Sequence, residues 1–376
     1  MSGSVLLTLL LLLPVQTPDP YELELARGRV VQAAVNQVQP ALVQIETVGG
    51  AQPVMDGPQG VREEGFRLAD GPTTGVIVSN DGLILTSSFN FARNPSIITV
   101  TLSDGQRLVA KLLGRDEIRR LAVLTVEADG ELPVPTWVPR NEMRVGQYAI
   151  ACGRGIGLAD NPPFISVGIV SALDRRNGNA VQTDAKVSPI NYGGPLLDID
   201  GRILGILVPK AGSGGALAGA EWYDSGIGFA IYKRDIDEVF DRLVAGDVIE
   251  QGKIGIVLVP DNDSLVPDFL KSFFPAAKGV KIGNVMAGSP GKVADLREGD
   301  RVLSVDGQAV GDVEELLRRL SDRAAGESIT LEIKRRWRTF DVTLTLVRAD
   351  EIGSILEMPK ASNDDAPAEV EGTTGE

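Results

Sequence analysis

Aspartate-glycine pairs set between short apolar runs constrain the fold of this chain more than any other feature. Asn80-Asp81-Gly82, Asp104-Gly105 and Asp200-Gly201 each separate stretches rich in valine, isoleucine and leucine. Such pairs supply the positive φ angles that tight hairpins need, so each predicts a reversal between two antiparallel strands. Several of them at short intervals predict an antiparallel all-β sandwich or barrel.

Helical periodicity is confined to a few places. Val30, Val31, Ala34 and Val35 lie at helical spacing within 27–46 and lead through Pro40 into the alternating stretch Ala41-Leu42-Val43-Gln44-Ile45, predicting a short helix that feeds a strand. Between Lys233 and Ala245, Ile236, Val239, Phe240 and Leu243 line one helix face, and Gly246 stands where a C-terminal cap belongs. A second unit then mixes strands with two helices. Ser289-Pro290 opens the first of these, with Gly299 after its end. Asp312 with Glu315 predicts a capping box for the other, whose Val313, Leu316, Leu317 and Leu320 form a buried stripe. Residues 49–73 read as a loop and the acidic end of the chain as a disordered tail. The organisation predicted is 1–17 as a hydrophobic leader, 24–247 as a β-domain, 251–349 as the second domain and 350–376 as the tail.

Composition removes whole classes of function. With 43% hydrophobic and 23% charged residues over 376 positions, the chain can bury a core in about two domains. A net charge of -14 works against binding a phosphate backbone, so no nucleic-acid partner is expected. There is one cysteine, Cys152, and no histidine. An internal disulfide is excluded, no zinc or haem ligand set suggests itself, and no cofactor is expected. Cys152 reads as a small buried apolar residue. The apolar run from Val5 to Val15 is shorter than the roughly 20 residues of a spanning helix, so it predicts a signal-peptide core, export to the periplasm or cell envelope, and no stable membrane span.

Several segments occur together in one order: Gly75-Val76-Ile77-Val78 through Leu83-Ile84-Leu85-Thr86, Leu121-Ala122-Val123-Leu124, Gly168-Ile169-Val170-Ser171, Gln182-Thr183-Asp184-Ala185, Gly193-Gly194-Pro195-Leu196 and Gly226-Ile227-Gly228-Phe229-Ala230. In the second unit Gly299-Asp300-Arg301-Val302-Leu303-Ser304-Val305-Asp306-Gly307 follows. In these segments, over about 28–347, the chain resembles the HtrA/DegP family. The resemblance implies a chymotrypsin/trypsin-like double β-barrel followed by a PDZ domain, a mainly β fold with few helices.

The resemblance also says where a catalytic triad would stand. The histidine position after Leu85-Thr86-Ser87-Ser88 holds Phe89, the aspartate position before Leu121 holds Arg120, and the nucleophile position holds Tyr192. Ile190 occupies the place of an oxyanion-hole glycine. Acyl transfer by serine needs a group that exchanges a proton near neutral pH, and this chain has no imidazole. The expectation is therefore a chain that is not an enzyme: a pseudoprotease acting as a peptide- or protein-binding scaffold, a chaperone-like protein or a regulatory subunit. The alternative is a serine-type endopeptidase with another nucleophile and base, for example Ser188 with Lys186, or Ser87 or Ser88 with some lysine. Tyr192 reads either as a nucleophile or as a phenol that fills the cleft. Asp261-Asn262-Asp263 lacks the glycine and distal glutamate of a calcium loop and reads as a solvated turn, so no metal site is expected.

By the same resemblance, Gly252-Lys253-Ile254-Gly255 stands where such PDZ domains receive a terminal carboxylate, and the strand from Ile256 receives the peptide beside it. Leu317 lies on the helix that forms the other wall. The partners implied are peptide or protein carboxyl ends, a homotrimer formed through Tyr21 to Val31, or a hetero-oligomer with active relatives.

Overall fold

The computed structural model describes residues 19–49, 72–91, 94–155, 162–209, 226–259 and 279–353. The leader, most of the loop at 49–73, the Asp261-Asn262-Asp263 cluster and nearly all of the acidic tail lie outside these residues. The chain divides into two compact units, one of Met1–Gly114 with Arg120–Ala245, the other of Arg115–Arg119 with Gly246–Glu376.

The first unit opens with α1 (Pro20–Val38), which begins earlier than its apolar spacing predicts. Asp19 accepts a hydrogen bond from the Tyr21 N–H at 3.0 Å and Pro20 takes the first helical position, a start signal independent of hydrophobic pattern. Only Ala34, Val35 and Val38 are buried, so periodicity is visible over the last turns alone.

Six strands follow: β1 (Leu42–Val48), β2 (Thr73–Ile77), β3 (Leu83–Ser87), β4 (Ile97–Thr101), β5 (Arg107–Asp116) and β6 (Leu121–Thr125). They hydrogen-bond in the order β5-β4-β1-β2-β3-β6, and β5 pairing with β6 closes them into a barrel. Val43, Ile45, Ile77, Ile84, Phe91, Val100 and Leu124 fill it. Each such side chain, fully withdrawn from water, contributes about 1.5–3 kcal/mol before the ordering entropy is counted. The aspartate-glycine pairs sit at the expected reversals, with Gly82 at φ 104° between β2 and β3 and Gly105 at φ 91° between β4 and β5.

A second closed barrel runs β10-β11-β12-β9-β8-β7, built from β7 (Tyr148–Gly153), β8 (Phe164–Arg175), β9 (Ala180–Thr183), β10 (Pro195–Leu197), β11 (Ile203–Val208) and β12 (Gly228–Ile231). Its core includes Ala151, Val170, Val181, Leu196, Leu204, Leu207 and Tyr232. Cys152 is fully buried, and burial pushes its thiol up to about 12, as suits a small apolar residue. Helix α2 (Lys233–Val244) buries Ile236, Val239 and Leu243, and Gly246 follows at φ 105°.

In the second unit β13 (Val248–Ile249) lies parallel to Arg115 and Asp116. A sheet ordered β14-β15-β16-β18-β19 then forms from β14 (Ile256–Val259), β15 (Val280–Val285), β16 (Arg301–Val305), β18 (Ser328–Arg335) and β19 (Arg338–Thr345), with β17 (Gln308–Ala309) paired to β16. Ile254, Ile282, Leu296, Val302, Leu316, Leu331 and Ile333 make its core. Helix α3 (Pro290–Val293) is a single turn, capped as expected by Ser289, whose hydroxyl accepts from the Lys292 N–H at 3.2 Å.

Helix α4 (Val313–Leu320) corrects two expectations. Asp312 caps it by accepting from the Glu315 N–H at 2.7 Å, but the Glu315 carboxylate accepts from the Gly311 N–H at 3.0 Å, so no reciprocal capping box forms. That bond, with Arg319 at 2.8 Å, holds the Glu315 carboxyl below the usual range. Only Leu316 is buried on this helix, while Leu317 is 54% exposed. The stripe is narrower than its apolar pattern because one of its leucines faces out.

Candidate functional site

In the first unit the candidate site is built where β2 and β3 of one barrel meet the loop 188–195 of the other. Thr74 holds this junction. Its N–H donates to the Tyr192 carbonyl at 3.1 Å, its hydroxyl donates to the Ile190 carbonyl at 2.6 Å, and the same hydroxyl accepts from the Arg154 N–H at 2.6 Å. The Thr86 hydroxyl donates to the Thr74 carbonyl at 2.7 Å, so a buried pair of threonines ties strand β2 to β3 and to the loop.

The loop then reverses at Gly193, φ 82°, where a Cβ would come within 2.1 Å of the Thr74 carbonyl oxygen. No other residue fits there without displacing main chain. Pro189–Asn191 form a turn of 3-10 helix, and the Tyr192 N–H donates to the Pro189 carbonyl at 3.0 Å. An oxyanion cradle needs main-chain N–H groups directed at an open space; this one is directed at a carbonyl. Ile190 lies over Gly155, close enough that a Cβ on Gly155 would clash with it, which accommodates the branched side chain at that position.

Of the sequence-assigned triad positions, the structure brings Phe89 and Tyr192 together. Their rings meet edge to face, centroids 5.3 Å apart at 67°. Such a pair contributes about 0.5–1.5 kcal/mol beyond its area. Arg120, at φ 64°, supplies its carbonyl to the Ser88 N–H at 2.9 Å and so anchors the turn that carries Phe89. Ser87 and Ser88 are buried at the end of β3. Ser188 is half-buried, and both its N–H and its hydroxyl donate to Asn191 Oδ1 at 3.1 Å. Lys186, two residues earlier, is exposed, and its carbonyl accepts from the Ser166 hydroxyl. Thr74, Arg154 and Asn191 escaped sequence reasoning. No local pattern marks them, because the partners of Thr74 lie 80 and 116 residues further along the chain.

In the second unit the candidate site is the outer edge of β14. Among the described residues β14 pairs only with β15, which leaves one side of its main chain open, and Val257 and Val259 are exposed along it. Leu317 is the exposed apolar residue of α4. The loop before β14 divides its four residues into two roles. The Gly252 N–H donates to the Arg323 carbonyl at 2.8 Å and the Lys253 N–H to the Val347 carbonyl at 2.8 Å. Those two donors are consumed in packing, which corrects the expectation that Gly252 and Lys253 offer backbone donors to a ligand. Neither the Ile254 N–H nor the Gly255 N–H donates to a main-chain carbonyl among the described residues. Gly255 sits at φ 75°, and its carbonyl accepts from the Met286 N–H at 2.8 Å, fixing the turn into Ile256. The Lys253 ammonium donates to Gln251 Oε1 at 2.6 Å, and burial holds its pKa below the usual lysine value.

Comparison with known proteins gives the same two parts. A family profile described as "Trypsin-like peptidase domain" matches residues 73–206, and one described as "PDZ domain" matches 281–335. A putative serine protease HhoA of Synechocystis is 30% identical over 344 residues, covering 84% of this chain and 83% of that one. A probable periplasmic serine endoprotease DegP-like of Hahella chejuensis is 31% identical, over 85% of this chain and 70% of its own. The DegP-like protein of Chlamydia trachomatis is 32% identical over 73% of this chain, and this chain spans about half of its length. Among solved structures, an HtrA-type protease AlgW with decapeptide superposes with a TM-score of 0.59 at 26% identity, over 84% of this chain and 98% of that one. The serine endoprotease from Yersinia pestis gives 0.59 at 25% identity, over 84% and 97%. Relatives that are named serine endoproteases and proteases overturn the expectation that this chain is not an enzyme. No helix among the described residues is long and apolar enough to cross a membrane.

Proposed function

Because this chain belongs to the HtrA/DegP family of serine proteases, we propose that it acts on polypeptides, taking a free carboxyl end at its PDZ domain and cleaving peptide bonds with a serine-type nucleophile in its double barrel. The observation that carries the first half is an edge of β14 that is open among the described residues, beside two main-chain donors, Ile254 N–H and Gly255 N–H, that no main-chain carbonyl among those residues takes. An extended peptide adds to such an edge through main-chain hydrogen bonds, and paired N–H groups receive its terminal carboxylate. Leu317 forms the apolar side of the groove for the last side chain. A solved relative of this type carries a decapeptide.

The hydrolytic half must run without imidazole, since the chain has none. Ser188 with Lys186 is the pair nearest Tyr192 in sequence, and Asn191 already orients the Ser188 hydroxyl. A lysine serves as a base when its ammonium gives up its proton within the site, and Lys186, two residues before Ser188, is exposed where a bound peptide would lie. The test is hydrolysis of unfolded casein by the purified full chain. Turnover that survives Tyr192→Ala and disappears with Ser188→Ala and with Lys186→Met supports this chemistry. No turnover in the parent chain, or turnover indifferent to Ser188→Ala, contradicts it.

Export to the cell envelope accords with relatives described as periplasmic. Self-association, as a trimer or with active relatives, accords with exposed apolar side chains on α1, where Tyr21 and Leu25 lie one turn apart, and on β7 and β8, where Tyr148 pairs with Ile169; the Arg27 guanidinium lies 5.7 Å from the Tyr148 ring centre.

A further inference from the structure

The hairpin between β18 and β19 is locally at odds with its own turn. Arg335 pairs with Arg338, leaving Arg336 and Trp337 as a two-residue loop, with Arg336 at φ 56°. Glycine, asparagine or aspartate is the usual occupant of such a loop. Here an arginine takes the left-handed conformation and a tryptophan stands 81% exposed at the tip, the most exposed large apolar side chain among the described residues. A residue choice that opposes both turn geometry and burial points to a surface role.

The charges around the tip are unevenly cancelled. Arg335 is bound to Asp300 at 2.7 Å and Asp295 at 3.1 Å, and Arg297 to Asp295 at 2.9 Å, so the neighbouring aspartates are already satisfied. Lys334, Arg336 and Arg338 are exposed and form no ion pair among the described residues. Beside them opens a cleft of about 840 Å3 lined by Arg297, Glu298, Arg336, Trp337, Arg338 and Phe340. Arg336, Arg338 and the Trp337 indole thus stand together at the tip, with Glu298 the one carboxylate of the cleft outside an ion pair among the described residues, on a chain whose net charge is -14.

We propose that this hairpin tip is a docking site for an anionic phospholipid bilayer, with Arg336 and Arg338 on lipid phosphates and the Trp337 indole in the headgroup layer. Indole rings favour that layer because one edge is polar and the rest apolar, and basic side chains add to binding only when the surface is negative. A nucleic acid would ask for a run of stacking aromatics, whereas Phe340 is half-buried with the Arg335 guanidinium 5.2 Å from its ring centre. The proposal is independent of the peptide site and of any hydrolysis.

The experiment is co-sedimentation of the full-length protein with vesicles of phosphatidylcholine alone and of equal parts phosphatidylcholine and phosphatidylglycerol. Binding only to the mixed vesicles is expected, with a blue shift of tryptophan emission and a loss of binding at high salt. Each cation contributes about fivefold to affinity for an anionic surface, so Arg336→Gln with Arg338→Gln should lower it about 25-fold. Trp337→Ser should lower it as well, and since both changes are at exposed positions the unfolding midpoint should not move. Equal binding to both vesicles, no binding to either, or binding that survives these variants overturns the proposal. So does capture of a single-stranded oligonucleotide or polyglutamate through the same residues in the absence of vesicle binding.

Discussion

Replacing Thr74 with valine keeps the shape of a buried side chain and removes one hydroxyl. That hydroxyl makes two bonds of 2.6 Å, donating to the Ile190 carbonyl and accepting from the Arg154 N–H. Thr74 is fully buried, so water does not replace either partner. An orphaned buried polar group loses about 1–3 kcal/mol, and two of them with partial relaxation give an expected loss of about 2–4 kcal/mol. Thr74→Ser keeps both bonds and loses one methyl group, about 1 kcal/mol. Urea unfolding of the full chain, followed by far-ultraviolet circular dichroism, separates the two variants. If Thr74→Val unfolds with the parent, or if Thr74→Ser is as damaging, the hydroxyl is not what ties the loop at 188–193 to strand β2.

Leu317→Asp places a charge on the exposed side of α4 without touching the core, so affinity for peptides with an apolar last residue should fall at least tenfold while the unfolding midpoint stays, read by fluorescence anisotropy. Lys253 is held below its ordinary pKa by burial, so the folded protein binds fewer protons than the unfolded chain between its lowered value and the usual one, and stability should rise with pH across that window. Lys253→Met should flatten that slope in melting curves taken from neutral to alkaline pH; an unchanged slope removes Lys253 as its source. Tyr21→Ser with Leu25→Ser should reduce the assembled mass measured by sedimentation if the exposed face of α1 joins subunits, and leave it unchanged if that face is solvated.

The β architecture was legible because its signals are local. Asp81-Gly82, Asp104-Gly105 and Asp200-Gly201 mark reversals that depend on the φ of one glycine each, and the order of the apolar runs carried the likeness to a known fold. The start of α1 was hidden because a proline behind an aspartate, not apolar spacing, begins that helix. The outward turn of Leu317 was hidden because spacing alone does not tell a core leucine from a groove leucine.

At the sites, residue identity said more than residue position. The absence of histidine excluded imidazole chemistry, and Tyr192 could be read as a phenol filling the cleft, but its edge-to-face contact with Phe89 was visible only in the fold. Which backbone donors of the loop 252–255 remain open could not be foreseen. That depends on Arg323 and Val347, roughly 70 to 95 residues further on, whose carbonyls claim two of the four. The role of Thr74 was invisible for the same reason, since its partners Arg154 and Ile190 are brought to it only when two barrels close.

Calorimetric titration of the full chain with one apolar-ended peptide, made once with a free carboxyl end and once amidated, tests the peptide-capture reading most directly. Hydrogen bonds to a charged acceptor contribute about 1.5–3 kcal/mol, so the free form should bind in the micromolar range and the amidated form about 10- to 150-fold more weakly. Equal affinity for the two forms would mean that the Ile254 and Gly255 N–H groups do not receive a carboxylate.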